Sequence, residues 1–267
     1  MQSSNSEKGT VIVTGASGGI GLELAKLFAR DRWPLLLTAR SGDRLKEIAA
    51  ELTTAYGAPV DICALDLALP ETPPQLLQAA AALNRPIEIL VNNAGFGSYG
   101  PFAEADLPTI LQMLQLNIVT LTQLTRLVLP DMVARRRGRI MNVASTAAFQ
   151  PGPLLAVYYA SKAYVLHFSE ALANELCQTG VSVTAFCPGP TATGFEHRAG
   201  LEASKLFTGM KVMAADVACE AGYRGLMRGQ RIVVPGLRNK ILVEGHRLLP
   251  RNWITSIVRH VQERRVP

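Results

Sequence analysis

The chain has 267 residues, 48% hydrophobic and 18% charged, a balance that supplies a large core and excludes a disordered chain. Net charge is +6, but residues 238–265 carry seven of the cations against two carboxylates, which leaves the body close to neutral and gives no implication of nucleic-acid binding. The four cysteines (Cys63, Cys177, Cys187, Cys219) lack metal-ligand spacing, residues 1–9 hold no apolar leader, and no apolar run reaches the roughly 18 residues of a spanning helix, so the expected setting is reduced, metal-free and cytoplasmic.

Apolar strand-like runs alternate with helical stretches along the chain. Strand is predicted at 10–14, helix at 18–30, strand at 34–38 and helix at 41–56. Strand follows at 59–65, helix at 73–83, strand at 87–92, one long helix at 108–135 and strand at 139–143. Helix at 157–178, strand at 181–187, helix at 215–227 and strand at 231–235 complete the pattern. Strands apolar on both faces and separated by helices imply an α/β fold: one doubly wound parallel sheet of about seven strands, of Rossmann type. The expected organisation is a loose N-terminus over 1–9, a dinucleotide-binding catalytic domain over 10–236, and a basic amphipathic helical extension over 237–267. The stretch 189–212 lacks periodicity and is a candidate lid.

The turn after the first strand reads Thr14-Gly15-Ala16-Ser17-Gly18-Gly19-Ile20-Gly21. Gly15 permits the tight turn, Gly19 lets backbone approach a pyrophosphate, and Gly21 lets helix pack close to strand. The helix N-terminus then offers free N–H groups to phosphate; Ser17, Gly18 and Ile20 belong to the same cradle. After the second strand, Leu37-Thr38-Ala39-Arg40 supplies a guanidinium and no carboxylate. A carboxylate there would bind a ribose 2′-hydroxyl, whereas Arg40 suits a 2′-phosphate, so NADP(H) is expected over NAD(H). Asp66, with Leu67 beside it, can accept from an adenine amino group or serve as a turn aspartate. Asn93, Ala94 and Gly95 end the fourth strand at the sheet edge where such folds bind ligands.

Tyr158 and Lys162 lie four apart in a predicted helix and share a face. A free phenol titrates near 10, and a neighbouring ammonium is expected to lower that value towards use as an acid/base. The motifs stand in order: the turn at 14–21, Asn92-Asn93-Ala94-Gly95, Asn117 in Leu116-Asn117-Ile118, Ser145 in Asn142-Val143-Ala144-Ser145, Tyr158-Tyr159-Ala160-Ser161-Lys162, and Pro188-Gly189 with Thr193. Together they make the chain, over residues 10–235, resemble the short-chain dehydrogenase/reductase family. The resemblance implies that Tyr158 is general acid in reduction and base in oxidation. It implies that Lys162 tunes Tyr158 and holds the nicotinamide ribose, that Ser145 hydrogen-bonds the substrate oxygen, and that Asn117 anchors a proton-relay water. Pro188, Gly189, Thr191 and Thr193 would border the nicotinamide, and a homodimer or homotetramer is expected. Tyr159, at i,i+3 from Lys162, reads as packing or substrate wall.

Phe195, Leu201, Leu206, Phe207 and Met210 in the candidate lid, with Phe96, Tyr99, Phe102, Phe149 and Leu154 near the strand ends, point to an apolar carbonyl or alcohol substrate. His197, Arg198, Lys205 and Lys211 read as a solvated face or as a greeting for an acidic group. Arg135, Arg136 and Arg137 complement the end of a helix. Trp253, Ile254, Ile257, Val258 and Val261 form an apolar stripe that could meet a membrane surface, the body of the protein or a second subunit. The alternative to an oxidoreductase is a non-catalytic NADP(H)-binding regulatory or scaffold protein on the same fold.

Overall fold

A computed structural model describes residues 8–192, 194, 212–245 and 250–263. Seven parallel strands run in the order β3-β2-β1-β4-β5-β6-β7: β1 (Thr10–Thr14), β2 (Leu35–Ala39), β3 (Val60–Ala64), β4 (Ile87–Asn92), β5 (Gly138–Val143), β6 (Val181–Phe186) and β7 (Ile232–Val233). The order reverses between β1 and β4, so the chain leaves both strands at the same sheet edge and opens a crevice there. The first five crossovers carry helices α1 (Gly19–Arg30), α2 (Gly42–Tyr56), α3 (Thr72–Ala81), the pair α4 (Leu107–Leu114) and α5 (Leu121–Ala134), and α6 (Ala156–Glu175). Helix α7 (Ala215–Met227) precedes β7, and α8 (Leu237–Gly245) and α9 (Arg251–Gln262) follow it.

The strands are apolar on both faces because both are covered. On one side Val11, Val13, Leu35, Leu37 and Val91 pack against Leu24, Phe28, Leu45 and Ile48 of α1 and α2 and Tyr223 of α7. On the other, Ile12, Leu36, Leu90 and Ile140 meet Leu76 of α3 and Leu124, Val128 and Met132 of α5. Alternate residues of one strand thus enter different cores, which fixes register: a one-residue slip would exchange the two sets.

Two sequence expectations change. The helix predicted over 108–135 is divided by a π-helical segment, residues 115–120. Asn117 is drawn inward there: its amide donates to the Phe96 carbonyl at 3.0 Å and to Ser161 Oγ at 3.1 Å, and its Oδ1 accepts from Phe96 N at 3.2 Å. The wider turn accommodates that insertion, which apolar periodicity does not register. The strand predicted over 231–235 shortens to Ile232–Val233, since only Ala185 and Phe186 of β6 lie opposite it.

The turn from β1 into α1 meets the sequence argument closely. Gly15 has φ +67° and Gly19 φ +55°, in the left-handed region. Gly21 faces the Gly15 carbonyl so tightly that a Cβ would overlap it and would sit 2.5 Å from Asn93 Nδ2. We expect Gly21→Ala to separate α1 from β1 and lower stability by about 1–3 kcal/mol, read as a drop in midpoint on thermal or urea unfolding.

Candidate active site

The carboxyl ends of β1, β4 and β5 are locked together by short polar contacts. Thr14 is buried; its Oγ1 accepts from Asn93 N at 2.9 Å and Ala94 N at 3.0 Å and donates to the Val91 carbonyl at 3.1 Å. Asn93 Nδ2 returns to the Thr14 carbonyl at 2.8 Å and the Gly15 carbonyl at 3.2 Å. One layer below, Asn92 Nδ2 donates to Thr125 Oγ1 (3.0 Å) and Asn142 Oδ1 (2.9 Å), and Asn142 Nδ2 to Ser169 Oγ (2.9 Å). These buried amides and hydroxyls crosslink β4, β5, α5 and α6, holding the crevice floor to one geometry.

Above that floor lies one cavity of about 1200 Å³. Its far end is lined by Gly15, Ser17, Gly18, Gly19 and Ile20, then by Arg40, Asp66 and Leu67. Asn93, Ala94 and Gly95 line its middle, and Ser145, Tyr158, Lys162, Pro188, Gly189 and Thr191 its near end. Of the side chains expected to meet substrate, Phe96 and Phe149 line it and Tyr99, Phe102 and Leu154 do not; the residues assigned to catalysis or to the cofactor line it except three. Gly21 acts from behind, in the α1–β1 contact, and Asn117 lies beneath Gly95, where a Cβ would meet its Oδ1 at 2.9 Å. Thr193 lies outside the described residues, as do 195–211 of the candidate lid and the cations His197, Arg198, Lys205 and Lys211.

The catalytic candidates meet at this near end. Ser145 leaves β5 in extended conformation, and its Oγ accepts from Ala147 N at 3.1 Å. A hydrogen bond links Ser145 to Tyr158. Lys162, one turn along α6, is 7% exposed; its ammonium donates to the Val143 carbonyl at 2.7 Å and lies 5.8 Å from the centre of the Tyr158 ring. Ser161, between them, donates to the Tyr158 carbonyl at 2.7 Å while accepting from Asn117. The π segment therefore supports the backbone that carries the tyrosine.

The electrostatics correct one expectation. Burial pushes the Tyr158 phenol above its ordinary value, and the hydrogen bond with Ser145 draws it only partly back. The ammonium does not overcome this because it too is desolvated: burial pushes Lys162 down to about 8. The site thus holds a neutral phenol beside a cation close to losing its proton. Cys187, near Lys162, is pushed up to about 12 by burial and stays a neutral thiol.

Asp66 fulfils the turn role, accepting from Ala68 N at 3.0 Å, and also lines the cavity. Arg40 is exposed, lines the cavity and forms no ion pair with a described residue. The arrangement fits a dinucleotide: Gly18, at the α1 N-terminus, makes no side-chain cap hydrogen bond, and a Cβ there would meet open space. Among the described residues no group of His, Cys, Asp and Glu gathers as a metal site.

Tyr159 is a wall, as its spacing implies. It is buried among Ala147, Leu155, Ile254 and Val258, its ring lies edge-on to Tyr158 at 6.1 Å, and its hydroxyl accepts from Gln262 Nε2. Burial pushes its phenol up to about 12. The sequence reading left open where the C-terminal stripe docks; half of it docks here, on the body. Ile254, Val258 and Gln262 form an i, i+4, i+8 series facing the cavity, and Tyr99 Oη donates to the Gln262 carbonyl at 3.0 Å. The apolar part of that series was visible in the sequence, but Gln262 as its polar end was not. A Cβ at Gly152 would overlap the Tyr159 ring. Gly152→Ala should displace this wall, lowering stability by about 1–3 kcal/mol and altering substrate KM while cofactor affinity, read by fluorescence titration, holds.

Known proteins resemble this chain in sequence and fold. The profile of the short chain dehydrogenase family matches residues 9–203. A ketoacyl reductase from Nostoc sp. is 34% identical over 198 residues, 74% of this chain and 69% of its own. The very-long-chain 3-oxoacyl-CoA reductase of Anas platyrhynchos is 37% identical over 186 residues, 68% of this chain and 59% of its own length. A short-chain dehydrogenase from Sphingobium yanoikuyae, solved in complex with NADPH, superposes with a TM-score of 0.80 at 33% identity, covering 96% of this chain and 99% of that one.

Proposed function

We propose that this chain, which belongs to the short-chain dehydrogenase/reductase family of oxidoreductases acting on CH–OH groups, is an NADP(H)-dependent enzyme that interconverts a bulky apolar ketone and its secondary alcohol. The observation that carries the reading is the continuity of the cavity. Arg40 and the glycine turn lie at one end, Ser145, Tyr158 and Lys162 at the other, and the apolar side chains of α8 and α9 line the substrate side. When bound, the nicotinamide cofactor supplies or accepts the hydride.

The residues of the chain handle position and the proton. Gly15, Ser17–Ile20 and the α1 N-terminus would hold the pyrophosphate, Arg40 the 2′-phosphate, and Asp66 and Leu67 the adenine. Asn93–Gly95 and Pro188–Thr191 flank the remainder. Ser145 hydrogen-bonds the substrate oxygen and stabilises the negative charge that grows on it during reduction. Tyr158, kept neutral by burial, carries the proton for that oxygen, and the negative charge growing on the oxygen drives the transfer. Lys162 then stabilises the phenolate left behind, a role that requires its ammonium form. In the oxidative direction the phenolate must form while Lys162 keeps its proton, so loss of that ammonium bounds oxidation on the alkaline side. Asn117 and Ser161 fix the α6 backbone beneath both groups.

The apolar wall of Tyr159, Ile254 and Val258 supports a substrate with a bulky apolar body, and the names of the ketoacyl and 3-oxoacyl-CoA reductase relatives support a 3-oxoacyl compound within that class. The four cysteines are free, in keeping with a cytoplasmic enzyme. Exposed Leu111, Val119 and Leu127 on the α4–α5 side are available to a homodimer or homotetramer contact.

Tyr158→Phe should lower kcat for ketone reduction by about 10²–10⁴-fold with NADPH affinity retained, while Tyr159→Phe stays active. The reverse pattern would assign the proton to Tyr159. NADPH should exceed NADH in kcat/KM, and Arg40→Ala should shrink that ratio by about tenfold or more, as expected for loss of a charge-assisted hydrogen bond. A native preference for NADH would refute the 2′-phosphate role.

A further inference from the structure

Helix α9 has a second apolar edge that the body does not cover. Its stripe is wide: Ile254 and Val258 are buried against the cavity wall, while Trp253 and Ile257, one helical step around, are 64% and 52% exposed. Helix α8 repeats the pattern, with Val243 buried and Leu237, Ile241 and Leu242 exposed, Leu237 to 73%. Ile241, Leu242 and Ile257 also line the cavity, so its mouth is rimmed by apolar side chains facing outward. Exposed Arg238 and Lys240 flank Leu237 and Ile241 on α8, while Arg259 on α9 lies on another face and pairs with Glu263 at 3.5 Å. Over residues 238–265 the sequence sets seven cations against Glu244 and Glu263, nearly all the net charge of the chain.

Two kinds of occupant could cover such a face, and charge separates them. A second copy docking symmetrically would bring two strongly cationic tails together, which opposes association. An anionic lipid surface offers both an apolar layer for Trp253, Ile257, Leu237 and Ile241 and a negative headgroup plane for the cations. Tryptophan at the edge of such a face suits the headgroup boundary. No helix of the described residues is long and apolar enough to cross a membrane, so the contact is peripheral.

We infer that α8 and α9 form an interfacial docking surface for an anionic membrane, placing the mouth of the substrate cavity against the lipid. An apolar substrate dissolved in the bilayer would then enter between Ile241, Leu242 and Ile257 without crossing bulk water. That route rests on the proposed ketone chemistry; the docking does not, and is read without turnover.

The full-length protein is mixed with vesicles of phosphatidylcholine alone or with about one third phosphatidylglycerol, and sedimented at low and high salt. The chain has two tryptophans; Trp33 is buried and Trp253 exposed, so a blue shift in emission reports Trp253 entering lipid. Expected are sedimentation with the anionic vesicles, a blue shift, and release at high salt. Each exposed cation near the surface contributes about fivefold to partitioning, so the charge reversal Lys240→Glu should reduce binding by about tenfold or more. Leu237→Ser with Trp253→Ser, neither on the cavity lining, should also weaken binding, with retained NADPH affinity showing that the variant is folded. Protein left in the supernatant with anionic vesicles at low salt overturns the inference. So does equal, salt-independent binding to phosphatidylcholine, or an emission shift that follows protein concentration rather than lipid. Loss of ketone reduction with vesicle binding intact would count against the proposed chemistry and leave the docking standing.

Discussion

A buried ammonium sets the terms for the site. Lys162 retains little contact with water, and a charge in that position persists only if fixed dipoles replace its hydration. The Val143 carbonyl does so from the end of β5, where the ladder stops and a backbone oxygen is left to point into the crevice. Pairing of β5 between β4 and β6 sets that oxygen's position. The sheet edge, α6 and the tyrosine one turn back on it are therefore coupled through a single 2.7 Å contact. Burial of the same lysine also brings its proton within reach of neutral conditions, so the residue proposed to steady a phenolate is itself sensitive to alkali.

The π segment is the second support. Had α4 and α5 been one regular helix, its side chains would have packed on the sheet in unbroken register. Widening at 115–120 turns Asn117 inward to the Phe96 backbone and Ser161, and brings Thr120 Oγ1 to the Leu67 carbonyl at 2.7 Å. One irregular turn thereby ties the loops after β3 and β4 to the helix that carries Tyr158 and Lys162. Irregular helix geometry is stable only where such contacts compensate it.

Legibility from sequence followed the range of the forces involved. Strands apolar on both faces, the helical repeat of α1 and α2, and glycines at 15, 19 and 21 are local signals, and each led to the right element. The Tyr158–Lys162 pair and its distance from Ser145 were readable because one helix and one strand end carry them. The direction of the Tyr158 shift was not, because an ammonium's attraction can be guessed from spacing whereas desolvation depends on everything packed around it. Asn117 was legible as a residue and not as a π turn, since the partners that draw it inward are 21 and 44 residues away. Gln262 was missed because its partner, Tyr159, lies 103 residues upstream and no periodicity links them.

Gly189 borders the catalytic end of the cavity, and a Cβ there would come within 2.6 Å of Asn239 Nδ2 on α8, an amide that itself donates to the Pro235 carbonyl at 2.8 Å. The tail is thus keyed into the loop after β6 rather than laid over it. Redesigning substrate range by exchanging everything after Pro235, as though the tail were a module, must preserve this fit: a bulkier side chain at 239 would press on Gly189, and a larger residue at 189 would lift α8. Positions 189 and 239 form one unit of inheritance, and any graft that divides them remodels the catalytic end along with the mouth.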